Sequence, residues 1–386
     1  MAGPGAVSEG GAGRTILPQV DGLRGIAVLA VLYQHAFSHG VAREIGAYGV
    51  FPYLLGNGWL GVSLFFILSG FVLALPFVGR EGRMASPSNA LAFYRRRTQR
   101  LVPLFAIGCF VGYLVNHTGP APLLLALTTF SMFDPHQFVP AVNGPFWTLM
   151  LEIWFSILMP VLLILAVRFG YWRVLAAAVA LALMTRILAV QFTFAGLTID
   201  PIKDSVPARI DDFVIGIVVA KLYVDRRLRS APRWLGLYGA ALVVSSAIGW
   251  DLIVQGNCPA SLRVFLNLPT AIGFACLLIS CLSEHSPVAA IVSAWPLRVA
   301  GAMCFSIYCW HYWIMQATDP NSLRFGRAVL FLAITGAVSL LSYKFIEFPQ
   351  RSWRSLLRLE LKESREKASV VASSLRNQAK ERTVSL

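Results

Sequence analysis

The sequence predicts an all-α, polytopic membrane protein: a bundle of about ten transmembrane helices with one short re-entrant or interfacial segment. Three observations predict it. Of 386 residues, 56% are hydrophobic and only 13% charged, against about 25% charged in soluble domains; so little charge cannot clothe a water-soluble particle of this size. Apolar runs of about 17–22 residues recur along the chain, each long enough to cross about 30 Å of hydrocarbon. Basic and neutral connections alternate between them, as the positive-inside rule requires.

In chain order the spans fall at about 23–41, 59–78, 101–116, 146–167, 174–195, 209–224, 234–254, 264–282, 299–317 and 328–346. The run 121–133, flanked by Pro120, Pro122 and Pro135, is too short to cross and suits the re-entrant or interfacial piece. With it excluded, Arg80, Arg83, Arg95, Arg96, Arg97, Arg100, Arg168, Arg173, Arg226, Arg227, Arg229 and Arg233 all fall on one side. That side is cytoplasmic, and both termini lie there. The net charge of +14 is therefore a topology signal and does not point to nucleic acid.

Residues 1–18, rich in Ala and Gly, are expected to be a disordered cytoplasmic N-terminus ahead of a retained first span. Residues 19–350 form the transmembrane domain. Residues 351–386 form a basic cytoplasmic tail with nine Lys or Arg against four Glu. Leu356, Leu357, Leu359 and Leu361 suggest a short helix there, with its bases free to meet anionic lipid heads. Five of six cysteines lie within apolar runs, and no disulfide framework or metal spacing follows. The absence of an obvious internal repeat weighs against a repeat-built transporter.

Ionisable groups inside spans are expensive, so they are the first candidates for function. Arg24 and His35 stand eleven residues apart on the first span, sharing a face about 16 Å apart. Depth estimates place Glu152 and His311 near the level of His35, with Arg186, Arg209, Asp211 and Asp212 adding to the same polar layer. A histidine and a carboxylate at one depth suggest a general base and its orienting acid. Arg97 and Arg100, three apart, would present neighbouring guanidiniums to phosphate oxygens. Ser69 and Gly70, near the middle of the second span, permit close approach by another helix or a narrow ligand.

Taken together these residues resemble the acyltransferase-3 family of membrane-bound acyl-CoA-dependent O-acyltransferases, from about Asp21 to Pro349. Arg24 and His35 match its Arg-x10-His pattern, Phe65 to Gly70 its Phe-Phe-x-x-Ser-Gly, and Arg97 with Arg100 its Arg-x-x-Arg. Trp147-Thr148-Leu149 followed by Glu152, Arg209 with Asp212, Ser306-Ile307-Tyr308 before Trp310-His311, and Ile346-Glu347 before Pro349 follow in order. The sequence departs from the pattern at Phe348, where a base is usual, and at Ser156, where tyrosine is usual.

The resemblance implies acyl-CoA, in the simplest case acetyl-CoA, as a cytoplasmic co-substrate with no permanently bound cofactor or metal. It implies transfer to a hydroxyl of an extracytoplasmic sugar or glycan in a bacterial cytoplasmic (inner) membrane, with His35 essential. The esterase-like domain fused to some members is not expected in this chain. His35, Glu152 and Arg24 are then the catalytic candidates, and Arg97, Arg100, Ser69 and Gly70 the donor-binding ones. His311, Asp211, Asp212, Arg209 and Arg186 are the acceptor-binding candidates. The partners are membrane lipid, acyl-CoA and a glycan or small-molecule acceptor. A glycosylated macrolide is an alternative acceptor, and a transporter or flippase the alternative class.

Overall fold

The computed structural model describes residues 17–38, 56–79, 84, 86–191, 199–228, 230–284, 286–322, 324–353 and 356. Among these residues there is helix and no strand. The helices are α1 (Pro18–Ala36), α2 (Gly61–Ala74), α3 (Pro87–Val115), α4 (Pro120–Leu127), α5 (Phe146–Phe169) and α6 (Tyr171–Gln191). They continue with α7 (Val206–Val224), α8 (Leu235–Val254), α9 (Arg263–Leu282), α10 (Trp295–Ala302), α11 (Cys304–Thr318) and α12 (Phe325–Ser342). Proline in the first turn opens α1, α3, α4, α7 and α10, where its missing N–H costs nothing and its fixed φ suits the helix.

Six helical segments are long and apolar enough to cross a membrane: α3, α5, α6, α8, α9 with its preceding turn, and α12 with its following turn. These make the chain an integral membrane protein. The expected count of about ten is not reached by this measure, for a physical reason. The remaining predicted spans are short or carry charge: α2 has 14 residues and α11 has 15, while α7 bears Arg209, Asp211, Asp212 and Lys221. The ninth predicted span is broken at Met303 into α10 and α11.

Boundaries shift for related reasons. Helix α3 is one element of 29 residues, about 43 Å long, so the arginine cluster placed before the third span is part of the same helix. The 121–133 run folds as the 8-residue α4 and a 3-10 turn, Phe130–Phe133, in keeping with a segment that does not cross. The expected surface helix in the tail lies outside the described residues apart from Leu356, as do residues 1–16.

Two close helix contacts fix the frame around the site. Helices α2 and α7 touch at backbone level: a Cβ on Gly70 would strike the Phe213 carbonyl, and one on Gly216 the Ile67 carbonyl. Helices α1 and α10 do the same, with Gly25 against the Leu297 carbonyl and Gly301 against that of Asp21. Without the apolar solvent penalty that drives burial in water, such close van der Waals approach of backbones supplies much of the association between membrane helices. Of the two uses the sequence allowed for Gly70, close approach by another helix is the one seen here, and Gly70 is not placed against the cavity as a donor-binding residue.

Candidate active site

A cavity opens between α1, α2, α3, α5 and α11. Arg24, Ser69, Arg100, Thr148, Glu152 and Tyr308 supply its polar wall, and aromatic and aliphatic side chains the rest. Arg24 is buried, and its Nε has no hydrogen-bond partner. Neither Arg24 nor Arg100 pairs with a carboxylate among the described residues, although both act electrostatically on Glu152 and Glu347. Two guanidiniums beside one largely apolar cavity are chemically suited to an anion with an apolar extension.

Arg97 is placed differently from its expected role. Its Nη2 donates to Glu152 Oε1 at 2.9 Å and its Nε to Ser156 Oγ at 3.1 Å. Ser69 Oγ donates to the same Glu152 oxygen at 3.0 Å, and Ser156 donates onward to the Glu152 carbonyl at 2.8 Å. Of the predicted pair, then, only Arg100 faces the cavity. Arg97 holds Glu152.

That bond also corrects the depth of Glu152. Helix α5 does not begin level with the C-terminal end of α3, because the chain before Phe146 runs back alongside α3, with the Val142 carbonyl against Gly112. Asn116 Nδ2 donates to the carbonyls of Ala141 and Val142 at 2.9 and 3.1 Å. The Phe146 ring fills the space beside Gly108. Glu152 consequently lies at the arginine end of the cavity rather than level with His35, which the uniform rise of an assumed full-length span could not reveal.

His35 instead meets His311. Their nearest ring nitrogens, His35 Nδ1 and His311 Nε2, are 3.0 Å apart. His311 Nδ1 lies 2.9 Å from the Tyr308 carbonyl and 3.2 Å from that of Ile307. Carbonyls only accept, so in the neutral pair His311 carries its proton on Nδ1 and offers the Nε2 lone pair. His35 must then donate from Nδ1, which makes Nε2 its basic nitrogen. His35 thus meets a second imidazole where the sequence led to the expectation of the Glu152 carboxylate.

Tyr308 connects the two regions. It lines the cavity, and its ring centroid stands 5.5 Å from that of His311. Its hydroxyl accepts from Thr148 Oγ at 2.6 Å and donates to the Pro145 carbonyl at 3.2 Å. Glu347, in a π-helical turn after α12, accepts from Ser306 Oγ at 2.5 Å.

The remaining predicted residues assemble elsewhere. Arg186 and Asp211 form a bidentate pair at 2.9 and 2.7 Å with no side-chain exposure on either partner. Arg209 binds Asp204 at 2.8 Å, Ser63 at 3.1 Å and Asp212 at 3.5 Å. Lys203 binds Asp204 at 2.7 Å, and Arg263 reaches Asp200 at 3.3 Å. The network joins α2, α6, α7 and α9, and it turns Arg186 and Asp211 toward each other instead of toward an acceptor. Sequence reasoning missed Ser63, Asp200, Lys203, Asp204 and Arg263. The charged turn Asp200–Asp204 beside the already noted Arg209 was the available signal.

The family model described as an acyltransferase domain, that of the acyltransferase-3 family, matches residues 17–346. The chain is similar to the peptidoglycan O-acetyltransferase OatA of Listeria monocytogenes, 24% identical over 367 residues, which cover 88% of this chain and 56% of that protein. It is also similar to the O-acetyltransferase OatA of Staphylococcus aureus, 22% identical over 367 residues, covering 87% of this chain and 57% of that protein. The chain thus spans little more than half the length of these curated relatives. No solved structure matches it. The family match takes in all the helices α1–α12, including both histidines and the arginine-lined cavity, and the chain therefore belongs to the acyltransferase-3 family.

Proposed function

We propose that this protein is a membrane O-acetyltransferase that takes the acetyl group from cytoplasmic acetyl-CoA and gives it to a hydroxyl of an extracytoplasmic glycan. The observation that carries the reading is the His35–His311 hydrogen bond, set beside a cavity whose anion-receiving arginines stand one phosphopantetheine length away. Arg24 lies eleven residues before His35 on α1, about 16 Å along the helix. A donor with its phosphates at Arg24 and Arg100 would bring its thioester to the imidazole.

The chemistry follows from the tautomer. His35 Nε2 takes the proton of the acceptor hydroxyl as that oxygen attacks the thioester carbonyl. The C–O bond forms, the C–S bond breaks, and the sulfur leaves as the thiol by recovering the proton from His35. The positive charge that His35 carries in between is stabilised through Nδ1–H donation to His311. On this reading about ten helices span the membrane with both termini cytoplasmic, as the alternation of basic connections supports. The glycan acceptor is supported by the relatives, one of which is named for peptidoglycan.

The test uses membranes containing the full chain, given acetyl-labelled acetyl-CoA, with mass spectrometry of the cell-surface glycans. Appearance of a labelled ester that requires both the protein and acetyl-CoA is expected. Labelled ester on a secreted small molecule, with none on glycan, would replace the acceptor; movement of a substrate without any need for acetyl-CoA would replace the enzyme by a transporter.

A further inference from the structure

Arg298, on α10, plays no part in the reaction just described. The residue is 4% exposed, and its Nε and Nη2 have no hydrogen-bond partner. Among the described residues no carboxylate pairs with it. A guanidinium withdrawn from water in this way is costly unless an anion meets it.

Its place in the fold says which anion. Helices α1 and α10 are in backbone contact where Gly25 meets the Leu297 carbonyl. Arg24 and Arg298 are the chain neighbours of that contact, one on each helix. Both are buried, and both keep an unpartnered Nε. Gly301 packs the same crossing closely against the Asp21 carbonyl. Two forked, permanently charged donors carried by adjoining turns match the several oxygens of a phosphate.

We propose that Arg298 is a phosphate-binding residue, receiving beside the Arg24 turn of α1 a phosphate group that the chain does not itself supply. The phosphate comes from the nucleotide end of the donor or from a phospholipid head group. The first source rests on the function proposed above; the second does not.

The full chain, purified in detergent, is titrated with coenzyme A and with 3′-dephospho-coenzyme A. In parallel it is placed in nanodiscs of mixed phosphatidylglycerol and phosphatidylcholine, and retained lipid is counted by native mass spectrometry. If the donor is the source, Arg298→Gln weakens coenzyme A about tenfold, the scale of one lost charge-assisted contact, and Arg298→Lys restores part of it. A loss confined to coenzyme A assigns the 3′-phosphate, and equal losses with both ligands assign the pyrophosphate. If lipid is the source, coenzyme A binding is unchanged and the preference for phosphatidylglycerol disappears.

The proposal is overturned if Arg298→Gln keeps both coenzyme A affinity and phosphatidylglycerol preference. Should that variant fail to fold, the same two readouts on Arg298→Lys decide, because lysine keeps the charge and loses the fork. Failure of the unaltered protein to bind coenzyme A counts against the donor reading alone, and the lipid arm then settles Arg298.

Discussion

Single side chains divide the arginines into two kinds. Arg97 is fixed by Glu152 and Ser156, whereas Arg24 and Arg100 face the cavity with no carboxylate pair among the described residues. The serine at 156, where the family pattern has tyrosine, accepts the Arg97 Nε and so belongs to this clamp. Arg97→Gln is therefore expected to strand a partly buried carboxylate and lower stability by about 3 kcal/mol, the low end for breaking a buried pair. Adding Glu152→Gln should recover much of that loss, since the two residues form one unit. Arg100→Gln should leave the melting temperature in detergent unchanged while raising the acetyl-CoA concentration needed for half-maximal transfer. Equal effects of the two arginine changes on melting would contradict the division.

At the level of elements, the charged network beside Asp204 ties the start of α7 to α2, α6 and α9. Asp204 lies in the turn before α7. Burial alone would raise its pKa, but Lys203 and Arg209 outweigh that and hold it at about 2, below the ordinary 3.8. A depressed carboxylate stabilises the fold above its unfolded pKa and loses that contribution as pH falls through its folded value. Thermal unfolding in detergent should thus show no Asp204-dependent change from pH 7 down to about 5, and a decline from about pH 4 toward 2. In Asp204→Asn that part of the decline should be missing, and the protein should be less stable at neutral pH. An acid profile identical in the two proteins would mean that Asp204 is not held in this way.

The same elements show what the sequence could and could not reveal. Hydropathy marked α5, α8 and α12 closely because apolar length is a one-dimensional property. It truncated α3, whose arginine-rich turns are helical but not apolar, and it could not show that Met303 breaks the ninth predicted span. The depth of Glu152 was misjudged because the dip of the chain between Asn116 and Phe146 depends on side-chain to backbone bonds that no periodicity encodes. His35, His311, Arg24 and Arg100 were found because ionisable groups are rare inside apolar runs. Their pairing was not, since it depends on how α1 rotates against α11.

For the molecule as a whole, the polar groups sort into three regions of one helical bundle: an arginine-lined cavity, a pair of imidazoles beyond Tyr308, and a closed charge network at α7. The proposed reaction uses only the first two, and the third ties together the helices α2, α6, α7 and α9. In the proposed reaction, transfer depends on His35 acting as a base between the cavity that would take the donor and an acceptor. The most direct measurement is the rate of labelled acetyl transfer from acetyl-CoA by His35→Ala, in membranes where its amount and melting temperature equal those of the unaltered protein. The account predicts loss of at least about 10²-fold, the lower bound for removing a general base; transfer at the unaltered rate would contradict it.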